Sequence, residues 1–293
     1  MSFEIDAASV QHYTTNIQLL LQQKGSLLKD TVSTGKYTGK AAKAIEQIGA
    51  VTAGKVDVRH GDTPLSSTPH TARWVFPNDY IWADLIDDQD KLRLLIDPTS
   101  SYALNGAYAI GRAMDDEILA AFMGVAKTGE NGSEAVKFPG AQVVTDSDPK
   151  ALTGMTVDKL QQAIKRLRQA EVDLDHDPVY CAISAQQEQD LLKDPKITSR
   201  DFNTQPVLVD GKLRSFMGIS FVPIQRLSVD GLSKMRICPL WSKSGMHLGL
   251  WDEVSVSIDR RPDKRNSMQV MVKGTFGATR THEQKVVSIY CKE

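Results

Sequence analysis

Cysteine is scarce in this chain, whose 293 residues include only Cys181, Cys238 and Cys291. Three are too few for a disulfide framework, and their spacing does not match that of a zinc site. Cys181 and Cys238 stand in apolar runs, which predicts buried, reduced thiols. The first ten residues, MSFEIDAASV, carry acids and no basic or apolar signal region, so no signal peptide is expected. These absences indicate a protein that is made and folds in a reducing cytoplasm.

An excess of charge of one sign and long apolar runs are also missing. The 35 basic and 36 acidic residues give a formal net charge of −1, which argues against binding nucleic acid by bulk electrostatics. No apolar run reaches the roughly 18 residues that a membrane-spanning helix needs, so no contact with a membrane is expected. The hydrophobic share of 41% is ordinary for a globular protein, and the length suits one large or two medium domains.

Residues 49–56, GAVTAGKV, match the sequence motif of a phosphate-binding loop only in part. The two glycines and Lys55 have the required spacing. Val56, however, stands where Ser or Thr should bind Mg²⁺, and no buried strand precedes the motif. We therefore predict no nucleotide site there.

A calcium loop is equally incomplete. Asp173, Asp175 and Asp177 alternate as the first ligands would, but Pro178 replaces the required glycine and Ser184 the bidentate glutamate. A turn explains these acids better than a metal site does.

Histidine and serine motifs offer no further chemistry. The chain has no GxSxG nucleophile turn, and its six histidines lack the paired spacing of metal ligands on a helix. The histidines are His12, His60, His70, His176, His247 and His282. We predict no catalytic, cofactor-binding or metal-binding residue.

The most strongly patterned stretch is residues 97–124, DPTSSYALNGAYAIGRAMDDEILAAFMG. Asp97 and Pro98 are typical of a helix start, and Gly124 of a helix end. Steps of three and four place one set of side chains on a single helix face. That set is Leu104, Ala107, Gly111, Met114, Ile118 and Phe122. We predict a long helix with small residues that let another backbone approach closely, and an Arg112–Asp116 pair on its flank.

Residues 82–124 resemble the spine region of major capsid proteins of tailed bacteriophages. The shared pattern is an aromatic-acidic segment, an Asp-Pro-Thr/Ser helix start, and an arginine followed by paired acids, here Arg112, Asp115 and Asp116. The likeness extends less specifically from about residue 9 to the C-terminus. It implies an α+β capsid protein fold with an N-terminal arm, an extended β-hairpin loop, a peripheral domain with a long spine helix, and an axial domain.

The N-terminal quarter predicts a helix at residues 7–24, then a polar, flexible stretch at 31–43 that cannot fold alone. Residues 57–71, DVRHGDTPLSSTPHT, are broken by glycine and proline and predict an extended excursion between strands at 51–58 and 71–76. In a shell protein this excursion would be the loop that overlaps a neighbour.

Charge is divided between two blocks. Residues 24–59 carry seven bases and three acids, a net of +4, and residues 77–117 carry nine acids and three bases, a net of −6. One interpretation is that both blocks are solvated faces. The alternative is that the basic arm of one subunit lies over an acidic patch of the next.

The middle of the chain alternates helices and strands. The expected strands are residues 142–145, 178–184, 217–224 and 235–241, and the expected helices are residues 156–170 and a short one opened by a Ser184–Gln187 capping box. In the last third, period-two runs predict antiparallel strands, half buried against a helix face and returning to the spine helix. These runs are Val254, Val256 and Ile258; Met268, Val270 and Val272; and residues 286–290.

The expected layout is an arm at 1–50, the extended loop with its flanking strands at 51–97, the peripheral domain at 98–153 and 242–293, and the axial domain at 154–241. The expected function is structural: self-assembly through hexamers and pentamers into the icosahedral head of a phage around double-stranded DNA. Expected partners are other copies of the chain, a separate scaffolding protein, a portal protein and decoration proteins. The competing hypothesis is a soluble α+β enzyme whose site assembles only in three dimensions.

Overall fold

A computed structural model describes residues 22–55, 65, 67–86, 99–146, 153–194, 197, 208–209 and 212–293. The chain divides into two compact units, each assembled from separate stretches of sequence. Unit 1 comprises residues 1–26, 79–113 and 252–274. Unit 2 comprises residues 27–78, 114–251 and 275–293. The long central helix and two long strands each contribute residues to both units.

The helices of the described residues are α1 (Thr99–Met123), α2 (Val157–Gln169) and α3 (Ala185–Leu192). The strands are β1 (Ser33–Lys36), β2 (Ala42–Ile48), β3 (His70–Val75), β4 (Asn78–Ile86), β5 (Ala126–Thr128), β6 (Glu134–Val136), β7 (Val143–Val144), β8 (Val179–Ile183), β9 (Leu208–Val209), β10 (Lys212–Leu213), β11 (Ser215–Phe216), β12 (Ile219–Pro223), β13 (Arg236–Ser242), β14 (Met246–Arg261), β15 (Ser267–Arg280) and β16 (Val286–Cys291). The fold is therefore mixed helix and sheet, as predicted.

Helix α1 confirms the long helix predicted from the 3.6-residue period. Met114, Ile118 and Phe122 are buried, as is Gly111, whereas Leu104 is 45% exposed and does not belong to the buried face as predicted. The predicted start at Asp97 and Pro98 lies outside the described residues. At the other end, the Gly124 N–H still donates to Ala120 O at 2.9 Å, so the helix ends at the expected glycine.

A six-stranded sheet in the order β11-β12-β8-β13-β16-β7 forms the core of unit 2. Strand β16 was predicted to be half buried against a helix face, and this was wrong. It lies between β13 and β7, antiparallel to the first and parallel to the second, and residues 286–289 are fully buried. Strands buried on both faces are continuously apolar, and the sequence VVSIYC has that character more than a strict alternation.

Helices α2 and α3 confirm their sequence signals. Thr156 caps α2, its hydroxyl accepting the Lys159 N–H at 3.3 Å, and the buried side chains of Leu160, Ile164 and Leu167 recur at helical spacing. The capping box at the start of α3 is present, with the Ser184 N–H donating to Gln187 Oε1 at 3.0 Å. These local contacts satisfy backbone groups that the first turn leaves unpaired.

A second sheet, in the order β2-β3-β5-β6, contains strands that the sequence placed poorly. The strand predicted at 51–58 is instead β2, which begins nine residues earlier in the chain, and residues 49–55 have no regular structure. The stretch 31–43 was predicted to be flexible, but it contains β1 and the start of β2. Strands β5 and β6 lie in a segment that was predicted only as turn-rich. These strands are short and are stabilised by partners distant in sequence, which leaves little local signal.

The third sheet has the order β1-β14-β15-β4. Within unit 1, an added Cβ at Gly106 of α1 would lie 2.5 Å from the Trp82 ring of β4 and 2.6 Å from Val272 of β15, so the helix packs closely on these strands. The predicted alternation on β14 is present, but Val254, Val256 and Ile258 are 40%, 48% and 46% exposed and not half buried against a helix. A period of two identifies an apolar face without identifying what covers it.

Candidate assembly elements

In unit 1, helix α1 contacts the N-terminal segment of the chain at residues 22–25. Arg112 Nη1 donates to Gln22 Oε1 at 2.7 Å and to Gln23 O at 3.2 Å. At the preceding residue, an added Cβ on Gly111 would lie 2.6 Å from the Gly25 carbonyl carbon. The predicted small-residue face of the helix therefore allows another part of the backbone to approach closely, as expected. The predicted helix at 7–24 lies mostly outside the described residues, and residues 22–24 are not helical.

In unit 2, Asp115 of helix α1 binds the backbone of the segment that follows, at Leu27 and Leu28. Its carboxylate is fully buried and accepts the Leu27 N–H at 3.0 Å and the Leu28 N–H at 3.1 Å. Hydrogen bonds from backbone N–H groups to a carboxylate are charge-assisted and stronger than neutral ones. The paired acids of the capsid resemblance thus include a residue that orders the N-terminal segment.

Asp116 was predicted to pair with Arg112, and it pairs instead with Arg226, whose guanidinium binds both carboxylate oxygens. The neighbouring Glu117 accepts from Asn78 Nδ2 at 2.8 Å. Asp115, Asp116 and Glu117 were all counted in the acidic block, so at least three of its nine acids are engaged within the subunit, and Asp84 accepts the Leu85 N–H at 2.8 Å. Of the other six, Asp79 and Asp84 are described, and Asp87, Asp88, Asp90 and Asp97 lie outside the described residues.

Arg280, in β15, is a buried cation that sequence analysis missed. Its Nη1 donates to three carbonyl oxygens at the C-terminal end of α1, those of Ala121, Phe122 and Gly124, at 3.2, 2.8 and 2.7 Å. A cation there also interacts favourably with the negative end of the helix dipole. Burial lowers the pKa of Arg280, and the nearby Glu283 carboxylate opposes that shift. An arginine in a strand carries no local signal for this role, because its partners lie about 160 positions earlier in the sequence.

His247 joins strand β14 to the N-terminal strand β1. Ser33 Oγ donates to Met246 O at 2.6 Å, so it accepts from His247 Nδ1 at 2.9 Å. The Tyr37 hydroxyl then donates to Nε2 at 2.8 Å. Burial lowers the pKa of His247, which favours the neutral ring with its proton on Nδ1, the form in which Nε2 accepts from Tyr37. The parallel pairing of Ser33–Lys36 with residues 247–250 is thereby reinforced by side chains.

The predicted excursion is bounded by an antiparallel pair. Strand β2 pairs with β3 in a register that ends at Ile48 opposite His70, and the Gly49 N–H donates to Pro69 O at 2.8 Å. Residues 57–64 and 66 lie outside the described residues. Exposed apolar side chains stand before and within the excursion, among them Val51 and the 97% exposed Leu65. These side chains are candidates for contact with another molecule.

The aspartates that resembled a calcium loop form turn contacts, as predicted. Asp173 Oδ1 accepts the Asp175 and His176 N–H groups at 3.1 and 3.2 Å, and Asp177 binds the Ser244 N–H at 3.1 Å. In the part of the chain that the structure describes, no three His, Cys, Asp or Glu side chains converge to hold a metal ion. The helices in that part include none that is long and apolar enough to span a membrane.

The cysteines are free and buried, which confirms the expectation for Cys181 and Cys238. Burial raises the pKa of the Cys181 thiol, with the neighbouring Cys291 adding to the shift. A hydrogen bond with Cys291 and burial likewise raise the pKa of Cys238. The thiols of Cys181 and Cys238 are therefore poor nucleophiles at neutral pH.

Comparison with solved structures finds phage capsids over nearly the whole chain. A capsid protein of Cyanophage P-SCSP1u matches with a TM-score of 0.74 at 13% identity, covering 96% of this chain and 92% of that one. The capsid asymmetric unit of Cyanophage Pam1 gives 0.68 at 13% identity, covering 99% and 98%. The capsid of Ralstonia phage GP4 gives 0.68 at 11% identity, covering 100% and 98%. At such identities the likeness establishes the fold. No curated protein sequence matches the chain.

The similarity to solved structures establishes the fold, and the comparison with family models identifies the family. The family model described as phage capsid protein matches residues 5–293. The competing hypothesis of a soluble enzyme therefore has no support. The chain belongs to the phage capsid protein family, and its role is that of a structural protein of the phage capsid.

Proposed function

We propose that the chain is the major capsid protein of a tailed phage, which assembles through hexamers and pentamers into a closed icosahedral head around double-stranded DNA. The family match over residues 5–293 carries this proposal. It is supported by the similarity in fold to whole capsid subunits, of which the chain covers 92% to 98% in the three comparisons above.

In the proposed mechanism, the shape and contacts of the subunit direct assembly, and no catalysed reaction is involved. A subunit that makes heterologous contacts, in which different patches meet, forms closed rings when the rotation closes. We assign the ring contacts to an axial domain at 154–241 and the ties between neighbours to the arm at 1–50 and the extended loop at 51–97. The peripheral domain comprises 98–153 and 242–293. The ordered β2–β3 base of the loop, with exposed Ile48 and Val51 beside it, suits a segment that contacts a neighbour.

The proposed partners follow from this role. They are a separate scaffolding protein, a portal protein, decoration proteins and packaged DNA that is bound without sequence preference. The near-zero net charge of the chain suits a shell that encloses DNA without binding it strongly. We propose synthesis in the cytoplasm of the host bacterium, followed by residence in the virion.

Particle size tests the proposal. Purified protein, expressed alone and together with the scaffolding protein of the same phage, is analysed by sedimentation velocity and negative-stain microscopy. We expect rings or shells in at least one preparation. A small oligomer in both preparations would contradict the proposed self-assembly.

A further inference from the structure

A loop of unit 2 between β12 and β13 presents a leucine to solvent. Leu232 is 98% exposed, and Val229 before it is 48% exposed. The loop is nevertheless fixed by its own hydrogen bonds. The Asp230 N–H donates to Met235 O at 2.9 Å, and the Asp230 carboxylate accepts the N–H and the hydroxyl of Ser233 at 2.8 and 2.5 Å. An ordered loop that holds apolar side chains in solvent is suited to insert them into a pocket on another molecule.

Unit 2 also contains an open groove with an apolar and basic lining. Its volume is about 710 Å³, which is within the usual range for clefts that bind another molecule. The buried Ile164 and the 42% exposed Met217 supply apolar surface, and the exposed Lys165 and Arg168 supply positive charge. The lining residues are Gln161, Ile164, Lys165, Arg168 and Gln169 of α2, together with Met217.

Met217 occupies a backbone position that does not favour methionine. Because Phe216 of β11 is paired with Ile219 of β12, Met217 and Gly218 form a two-residue turn, in which φ is 54° and 79° respectively. Asn, Asp or Gly is the usual residue at the first position of such a turn. Residues held in disfavoured conformations cluster at functional sites. The turn itself therefore does not account for Met217, whereas an apolar contact in the groove does.

The loop and the groove lie at opposite ends of the same strands. Strands β8 and β12 are parallel and pair over five residues, the first pair being Val179 and Ile219. The methionine turn precedes β12 and the C-terminal end of α2 precedes β8, so the groove lies at the amino ends of both strands. The loop at 225–235 follows the carboxyl end of β12, about 17 Å away at the usual rise per residue. Different patches at opposite ends of one subunit are what a head-to-tail contact requires.

The charges of the two patches are also complementary. Residues 228–233, SVDGLS, carry one charge, that of Asp230 beside the leucine. Hydrogen bonds from Ser233 lower the pKa of Asp230 and keep its carboxylate ionised at neutral pH. The groove that would receive the loop carries the cations of Lys165 and Arg168. Opposite charges of this kind fix the register of two patches and disfavour other partners.

We infer that Leu232 of one subunit inserts into the groove beside Met217 of the partner subunit, and that this contact repeats around each ring of subunits. The inference rests on the proposed function, because it needs a protein that assembles with copies of itself. It deepens that function by naming the two patches through which neighbouring axial domains meet, and by fixing the contact as head to tail.

Cysteine cross-linking tests the direction of the contact. Met217→Cys/Leu232→Cys places one thiol in the groove and one on the loop of every subunit, and the native thiols are buried and should not compete. Mild oxidation or a short bis-maleimide, applied to assembled particles, should then give a ladder of covalent multimers that ends at five and six copies on denaturing gels. Each single variant should remain monomeric, because a head-to-tail contact never brings two identical patches together.

The matched control is Gln186→Cys/Leu232→Cys. Gln186 is exposed on α3, which follows the carboxyl end of β8, so both thiols of this variant lie at the same end of the sheet. It should give no ladder. Particles in which Met217→Cys/Leu232→Cys gives no ladder, or in which the control gives the same ladder, would overturn the inference. Dimers from Leu232→Cys alone would overturn it too, since they would show a contact between identical patches.

Two asparagine variants separate the contact from the fold. Asparagine is favoured at the first position of the turn, so Met217→Asn should unfold at the same temperature as the wild type or higher. It should nevertheless lower the assembled fraction several-fold. Leu232→Asn, at a position exposed in the single subunit, should have the same effect on assembly, whereas Gln186→Asn should have none. Normal assembly of Met217→Asn or of Leu232→Asn would overturn the inference.

The two proposals fail in different ways. If wild-type protein forms no particles under any condition, the proposed function fails, and the contact is judged by the ladder from Met217→Cys/Leu232→Cys in concentrated unassembled protein. If wild-type protein forms particles but this variant gives no ladder, the contact fails and the proposed function stands.

Discussion

At the residue scale, helix α1 is held by contacts with backbone groups that are distant in the sequence. Its small-residue face predicted a close backbone approach at Gly111, and the Gly25 backbone lies there. The roles of Asp115 and Arg280 could not be predicted in the same way. Their partners are backbone groups 87 and 158 positions away, at Leu28 and Phe122, and a carbonyl or N–H group leaves no mark in a sequence.

Gly111→Leu should destabilise the subunit, since its side chain would meet the backbone of Gly25 and Ser26, which cannot easily move. Overpacking of this kind typically costs about 1–3 kcal/mol. The measurement is the free energy of unfolding in denaturant. Ala120→Leu, at an exposed position of the same helix, is the control and should change it little. An unchanged stability of Gly111→Leu would mean that the N-terminal segment does not pack there.

Arg280→Met should be strongly destabilising, because it leaves the carbonyl groups of Ala121, Phe122 and Gly124 without their donor. Hydrogen bonds from a charged group are worth about 1.5–3 kcal/mol each, so we expect a loss of about 3 kcal/mol or more. Arg280→Lys should recover part of it. Arg214→Met, at an exposed position, is the control in the same thermal and denaturant unfolding experiments. Equal stability of the two methionine variants would contradict the capping role.

His247 should make the subunit less stable in mild acid. Because burial lowers its pKa in the folded state, the unfolded chain binds a proton more readily. Its contribution to stability is therefore complete above the unfolded pKa of about 6.5 and is lost as the pH falls towards the folded value. The pKa of His282 is lowered by burial too, so the comparison must be made against His247→Gln. The wild type should lose more stability than this variant between pH 7 and pH 5; parallel curves would contradict the assignment.

At the element scale, the helices and most strands of the middle of the chain were predicted from local signals, whereas the pairing of strands over long distances was not. Helix α2 has a cap and a helical period, and the capping box of α3 lies within four residues. Strand β1 instead pairs with β14 across more than 200 positions, and β16 joins the six-stranded sheet by pairing with β13 and β7. Strand formation of this kind depends on partners that a local pattern does not reveal.

The segment after β2 should be protected from protease when subunits assemble. Lys55 is exposed and lies outside regular structure in the single subunit, which makes it a suitable site for trypsin. Under the proposed function a neighbour covers this part of the extended loop. Cleavage after Lys55, followed by mass spectrometry, should be fast in free subunits and slow in particles, whereas the exposed Lys264 on another loop serves as a reference site. Equal cleavage in both states would show that no neighbour covers the segment.

At the scale of the whole molecule, the sequence resemblance predicted the capsid family, and the individual motifs did not. The order and spacing of many structural residues carried that resemblance, which agrees with the family match over residues 5–293. The burial of individual strand faces was harder to foresee. Val254, Val256 and Ile258 of β14 were predicted to be half buried against a helix face, and they are exposed in the single subunit, because a period of two does not show what covers an apolar face.

Assembly should weaken as salt is raised if the basic block contacts a neighbour. Lys36, Lys40 and Lys43 are exposed, although Lys43 also lies 3.5 Å from Glu46. Exposed ion pairs contribute only about 0–1 kcal/mol each and are screened over about 10 Å at 0.1 M salt, but they recur at every subunit contact. The triple change of these lysines to glutamate should lower the assembled fraction and leave unfolding of the monomer unchanged. Equal assembly of both proteins at low and high salt would mean that the block is ordinary solvated surface.

A cryo-electron microscopy reconstruction of particles formed by this chain tests the central claim most directly. The proposed function predicts a closed icosahedral shell in which copies of this subunit occupy both hexamers and pentamers, with residues 49–69 of each copy against a neighbour. A particle in which the chain forms no shell, or occupies only sites added to a shell built by another protein, would contradict it.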